Sequence, residues 1–281
     1  MGGAPVSHTR KRMPGTIAAL DEGIELVTQL PPFLAVLWLT ALPSRFLFAA
    51  FLVELATLGA RAPHEGRSLL VLAYAALLLW LPSLYGRQVF VRACRRAMEG
   101  DARATLWALR VPPRELAGAV GAALLVELAF WALSFTVLVP LAMVAAAALA
   151  AVAAPQGGPG LLSALREMAA GSGRFLSWGL YLVFFLVALL LAAFNLHLVF
   201  SLSVWLLGSV APVDAPVWGH LVGFENPLYL GVLGVGATLL VEPFWLATIT
   251  VHVAHVRARA SGEDLRQAFE EIRRQAQRDA A

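Results

Sequence analysis

The chain has 281 residues, 59% of them hydrophobic and 14% charged, with a formal net charge of +3 and a mean hydropathy of +0.74. A soluble domain is about 45–50% apolar and about 25% charged, so no globular core of this length can bury such a composition, and the solvent must be lipid. Cys94 is the only cysteine, and Lys11 is the only lysine among 21 basic residues, which excludes an intrachain disulfide and a cysteine-rich metal site. The arginines are scattered between apolar blocks rather than gathered on one basic face, so nucleic acid is not an expected partner. Together with the many alanines, they read as the codon bias of a GC-rich bacterial genome.

From the N-terminus, Arg10, Lys11 and Arg12 precede Thr16–Leu30, whose Asp21, Glu22 and Glu25 disqualify it as the apolar region of a cleavable signal. The first true span is therefore expected to act as an uncleaved signal. Ile17, Leu20, Ile24 and Val27 share one helical face with the acids opposite, which predicts an amphipathic helix lying on the membrane surface. Five apolar blocks follow: Phe33–Leu58, Ser68–Tyr85, Leu116–Ala154, Leu176–Ala211 and Pro227–Val256. One crossing takes roughly 20 residues, so the third and fourth blocks are longer than a single span requires.

Basic residues set the threading. They stand before the first block, in the Gly86–Glu115 loop (Arg87, Arg92, Arg95, Arg96, Arg103, Arg110 and Arg114) and after the last block, whereas Pro212–Asn226 carries none. The positive-inside rule places both termini and that loop in the cytoplasm, which demands an even number of crossings. The Pro155–Phe175 segment, with Arg166 and Arg174 against Glu167, also fits the cytoplasm, so the third block is expected to be a hairpin bent near Pro140. The expected fold is an all-α polytopic transmembrane helix bundle of about six spans, near 33–58, 68–85, 116–135, 137–154, 176–211 and 227–256. Residues 1–32 and 257–281 flank it, and five spans is the rival thread. Ala102–Leu109 is expected to lie on the surface. After Val256, Ser261 and Asp264 resemble a capping box, and Leu265, Phe269, Ile272 and Ala276 form the apolar stripe of an amphipathic C-terminal helix, fit to dock on membrane, loops or a partner.

The chain carries no HExxH, GxxxxGK[ST], GxSxG or GxGxxG motif. Gly231, Gly234 and Gly236 sit inside a span, where small residues let helices approach closely. His252 and His255, three apart on one helical face, offer half of a metal site at most, so neither metal nor cofactor is expected. The informative residues are polar groups inside the apolar blocks: Arg45, Glu127, Asn195, His197 and Glu242. An unpaired charge at a helix centre costs about 2.5–3.5 kcal/mol on insertion scales, so such groups seek a partner or a wet cavity. Pro243 also frees the Leu239 carbonyl of its helical bond, as in the broken helices that line transport sites. Two readings follow: Arg45 buried against Glu127 or Glu242 as a structural lock, or an ion-linked pathway through the bundle.

Leu20-Asp-Glu-Gly-Ile-Glu-Leu26 followed by a span with Ala41-Leu-Pro-Ser44, and Phe224-Glu-Asn-Pro-Leu-Tyr229 followed by Glu242-Pro-Phe244 and Arg257-Ala-Arg-Ala-Ser-Gly-Glu-Asp-Leu265, resemble bacterial polytopic proteins similar to the membrane domain of glycerophosphoryl diester phosphodiesterases. The resemblance covers about a third of the chain. It implies a bacterial protein of about six spans, with some relatives grouped with other envelope membrane proteins and a transglutaminase-like partner. The phosphodiesterase activity of that group belongs to a separate soluble barrel, and no acid–histidine cluster here matches it, so architecture and not catalysis carries over. The expected role is a non-enzymatic scaffold or accessory subunit of a complex in the bacterial inner (cytoplasmic) membrane, with the lipid bilayer and other membrane proteins as partners. A small transporter or channel component using the intramembrane charges is the alternative, and a membrane-embedded enzyme is the third.

Overall fold

An apolar run in lipid has no water to satisfy its backbone, so it must close its own hydrogen bonds as a helix. The computed structural model describes residues 16–58, 66–100, 109–133, 175–210 and 220–262, together with residues 266, 269, 270, 272, 273 and 277, and among them every regular element is helical. The helices are α1 (Thr16–Gln29), α2 (Pro31–Leu58), α3 (Gly66–Met98), α4 (Pro113–Leu133), α5 (Phe175–Val210) and α6 (Pro227–Ser261). Four of them, α2, α3, α5 and α6, are long and apolar enough to cross a membrane, the make-up of a multi-pass membrane protein. The turn expected near Pro140, residues 102–108 and the segment 155–174 lie outside the described residues.

α6 is the axis. α2 runs antiparallel to it, with Ala41 packed on Val235 and Leu239 near the middle, and Ala49 meeting Gly231 toward the start of α6. α5 is also antiparallel: Tyr181 meets His252, Phe185 meets Trp245, and Leu196 lies over Gly236. The end of α3 returns to the start of α2, where Phe33 and Leu37 share a core with Val89, Phe90 and Cys94. Arg92 on α3 pairs with Glu115 in the first turn of α4. One end of the bundle therefore gathers α1, the starts of α2, α4 and α5, and the ends of α3 and α6. The opposite end holds the end of α2 and the starts of α3 and α6.

Two elements differ from the sequence expectation. The second span does not close at Tyr85, because its helix continues to Met98 and ends at Gly100, where φ is +81°. Val89, Phe90, Ala93 and Cys94 keep a buried face going between the arginines of the supposed loop, so Arg87, Arg92, Arg95 and Arg96 are helical residues. α1 buries Ala19, Leu20, Gly23, Leu26 and Val27, largely against α6 and the end of α3, and leaves Ile17 66% exposed. Its docking face is chosen by small residues: a Cβ on Gly23 would lie 2.8 Å from the Thr248 Cα, so the helices approach at a distance that only glycine allows. In the tail, Phe269 and Ile272 of the expected stripe are helical and exposed.

Candidate functional site

Polar groups converge halfway along α6. Glu242 is buried and takes two arginines: Arg45 of α2 through Nη2 on Oε2, and Arg87 of α3 through Nε on Oε1 at 2.8 Å. Arg45 also donates from Nη1 to Thr238 Oγ1 at 3.2 Å, and that hydroxyl donates to the Val235 carbonyl at 2.8 Å. Both carboxylate oxygens are thus engaged, and three helices that approach one another only in the folded chain are tied at one point.

Directly after Glu242, Pro243 removes the N–H that would bond the Leu239 carbonyl. The Trp38 indole fills the vacancy, donating to that carbonyl at 2.8 Å. An orphan carbonyl in lipid is costly, and an indole N–H in the same medium needs an acceptor, so the two needs cancel across the α2–α6 interface.

The charged cluster forms part of the wall of a cavity of about 660 Å³. The rest of the wall is apolar, with Phe48, Leu52 and Val53 on α2, Leu189 on α5, and Gly234 and Trp245 on α6. Pro227 and Glu242 both line it, a separation of about 22 Å along α6 at helical rise, so the cavity is elongated along the bundle. Gly231 and Gly234 leave room for it. A Cβ on Gly231 would make ordinary contact with Ala49, and a Cβ on Gly234 would meet nothing within 4 Å.

Of the residues singled out in the sequence, the structure joins Arg45 and Glu242. His197 lies elsewhere, sharing a 2.7 Å hydrogen bond with Tyr229 Oη and stacking on Phe224 at 4.4 Å between ring centroids. Tyr229 is about 20 Å from Glu242 by helical rise. Asn195 is exposed on α5. Glu127 is on α4, with its side chain outside the described atoms. His252 and His255 point to different partners, His252 to Tyr181 Oη at 3.2 Å and His255 to Glu22 of α1 at 3.3 Å. No group of three metal-ligating side chains occurs among the described residues.

Arg87 is the residue that sequence reasoning missed. The apolar block ends at Tyr85, so Arg87 reads as one of the loop arginines, yet Gly86 is where α3 crosses α2: a Cβ there would lie 1.9 Å from Thr40 Oγ1. A glycine between an apolar block and an arginine was the available sign of a helix crossing. Beside it, Gln88 is fully buried, and its amide makes no hydrogen bond among the described residues.

No family model, curated protein or solved structure matches this chain.

Proposed function

We propose that this chain is a six-span protein of the bacterial cytoplasmic membrane that works without catalysis, holding a small ligand in its intramembrane cavity as a binding or transport subunit of an envelope complex. The observation that carries this reading is the cavity itself: a 660 Å³ apolar space, of a size usual for ligand sites, with two arginines and one carboxylate converging on its wall. The scaffolding role expected from the sequence fits the same protein acting as an accessory subunit, and the exposed Phe269 and Ile272 of the helical tail offer a docking edge.

The six-span thread is supported by the placement of helix ends. α4 and α5 both begin at the end that holds α1, as a hairpin in the Leu116–Ala154 block requires. That end also carries Arg92, Arg95, Arg96 and Arg114, which supports its cytoplasmic placement. The resemblance to the membrane domain of glycerophosphoryl diester phosphodiesterases supports the bacterial envelope setting. Topology reporters at Asp101 and the C-terminus should be active in the cytoplasm, and those at Glu65 and Asp214 outside it.

The cavity reading is tested with Gly234→Leu, which fills the space without touching a charge. Native mass spectrometry of the purified wild-type protein should show one bound small molecule or lipid per chain. The variant should lack it while unfolding at the same or a higher temperature. Identical spectra for the two proteins would remove the ligand role and leave the arginine–carboxylate cluster as a bundle lock.

A further inference from the structure

The donors and acceptors around the cavity are unequal, and the inequality selects a ligand. Glu242 has both oxygens occupied, and the Thr238 hydroxyl both accepts from Arg45 and donates to Val235. Arg45 has each terminal nitrogen engaged. Arg87 binds Glu242 through Nε alone, so among the described residues its two terminal nitrogens make no hydrogen bond while the residue lines the cavity. Two guanidinium groups against one carboxylate leave one positive charge in excess. Arg87 is partly exposed where it lines the cavity, so its unused N–H groups and the excess charge are open to an anion. The net positive charge of the cluster repels a cation, and a dianion would only reverse the imbalance.

The remaining wall is hydrocarbon and aromatic, and it extends about 22 Å along α6 from the charged cluster to Pro227. A small inorganic anion would leave that space unfilled. We infer that the cavity binds an amphiphilic monoanion, with one carboxylate or phosphodiester head on the terminal nitrogens of Arg87 and an extended apolar body along Phe48, Leu52 and Leu189. The head chemistry is shared by a free fatty acid and an anionic phospholipid. This inference rests on the cavity reading proposed above and adds the sign, the valence and the shape of the ligand.

The test uses the full chain in nanodiscs of zwitterionic phosphatidylcholine, with a dansyl-labelled long-chain fatty acid, its methyl ester and the matching alkylammonium as probes. The acid should bind saturably, and the ester and the ammonium should bind about tenfold more weakly or not at all. Arg87→Gln should bring the acid down to the level of the ester, and Gly234→Leu should abolish binding of all three. Phosphatidylglycerol in the nanodisc should displace the acid if a lipid is the resident ligand, and unlabelled fatty acid alone should do so if a free acid is; either result upholds the shared chemistry. The acid–ester comparison is made on the wild-type protein, so it does not depend on any variant folding.

Equal binding of acid and ester, abolished by Gly234→Leu, would overturn the anion assignment and leave the cavity reading standing. Binding of no probe would also overturn it, and the mass spectra of wild type and Gly234→Leu would then decide whether the cavity reading falls too. A cavity filled by another part of this chain would show no bound molecule and a lower unfolding temperature for Gly234→Leu, and both readings would fall.

Discussion

In the second half of α6, Thr248 has α1 so close that a Cβ on Gly23 would lie 2.8 Å from its Cα, whereas in the first half a Cβ on Gly234 would meet nothing within 4 Å. The same residue type serves opposite ends: Gly23 and Gly236 let helices touch, and Gly234 leaves a space between them. Glu242 and its two arginines stand at the boundary, where the dense half around Phe90, Cys94 and Ile249 gives way to the cavity. Burial and apolarity are inverted in the same way. Along its most apolar stretch α5 has a mean hydropathy of 2.5 with 6% of its residues buried, whereas α6 has 1.7 with 61% buried. In lipid, the more polar helix goes inside, because only there do its polar groups find partners.

The sharpest break in this comparison is Glu242→Ala. It leaves Arg45 and Arg87 without a counter-charge and should cost about 3–5 kcal/mol, less whatever water penetration and snorkelling recover. The readouts are loss of monodisperse protein in detergent and a lower Tm. Arg45→Ala should be milder, because Arg87 still holds the carboxylate, and adding Glu242→Gln should deepen the loss by leaving Arg87 without its counter-charge. Equal damage from Arg45→Ala and Glu242→Ala would mean that the carboxylate is not the shared joint.

One substitution tried at three glycines probes the two halves directly. Gly23→Leu and Gly86→Leu should each lower stability by about 1–3 kcal/mol through overpacking, and thermal unfolding in detergent should show both. Gly234→Leu should raise Tm or leave it unchanged, since leucine is the better helix former by about 0.8 kcal/mol and has space to enter. A fall at all three positions would erase the distinction. Trp38→Phe should cost about 1 kcal/mol by leaving the Leu239 carbonyl without its donor, read as faster amide exchange around Pro243. The smallest effect is a gain: Gln88→Leu replaces a buried amide that has no partner among the described residues, and should raise Tm by an amount equivalent to about 1 kcal/mol.

Much of this architecture could be read from the residues. Apolar blocks long enough to cross a bilayer marked α2, α3, α5 and α6 as candidate spans, and Arg45 and Glu242 stood out because a charge at that depth needs a reason. The second arginine was hidden because charge counting treats Arg87 as a topology marker, while its role depends on where α3 crosses α2. The face of α1 is legible only in part: Leu20 and Val27 of the expected stripe are buried, while Ile17 and Ile24 are exposed. Helical periodicity finds the most apolar stripe, Ile17 to Val27, but helices in lipid pack through small residues, and Ala19 and Gly23 set the contact. The cavity was not legible at all, since it is defined by what Gly231, Gly234 and Leu52 leave empty between helices distant in sequence.

The separation of 197 residues between Arg45 and Glu242 also has a meaning in time. At a synthesis rate of about 5–20 residues per second, the acid emerges roughly 10–40 s after the arginine it will neutralise. Over that interval α2 and then α3 each hold an arginine that Glu242 has yet to meet. α6, carrying the acid and a carbonyl freed by Pro243, arrives last and finds Arg45, Arg87 and Trp38 already made. The burden of waiting thus falls on arginine, whose long side chain can reach toward the interface, and not on the shorter glutamate or the immobile carbonyl.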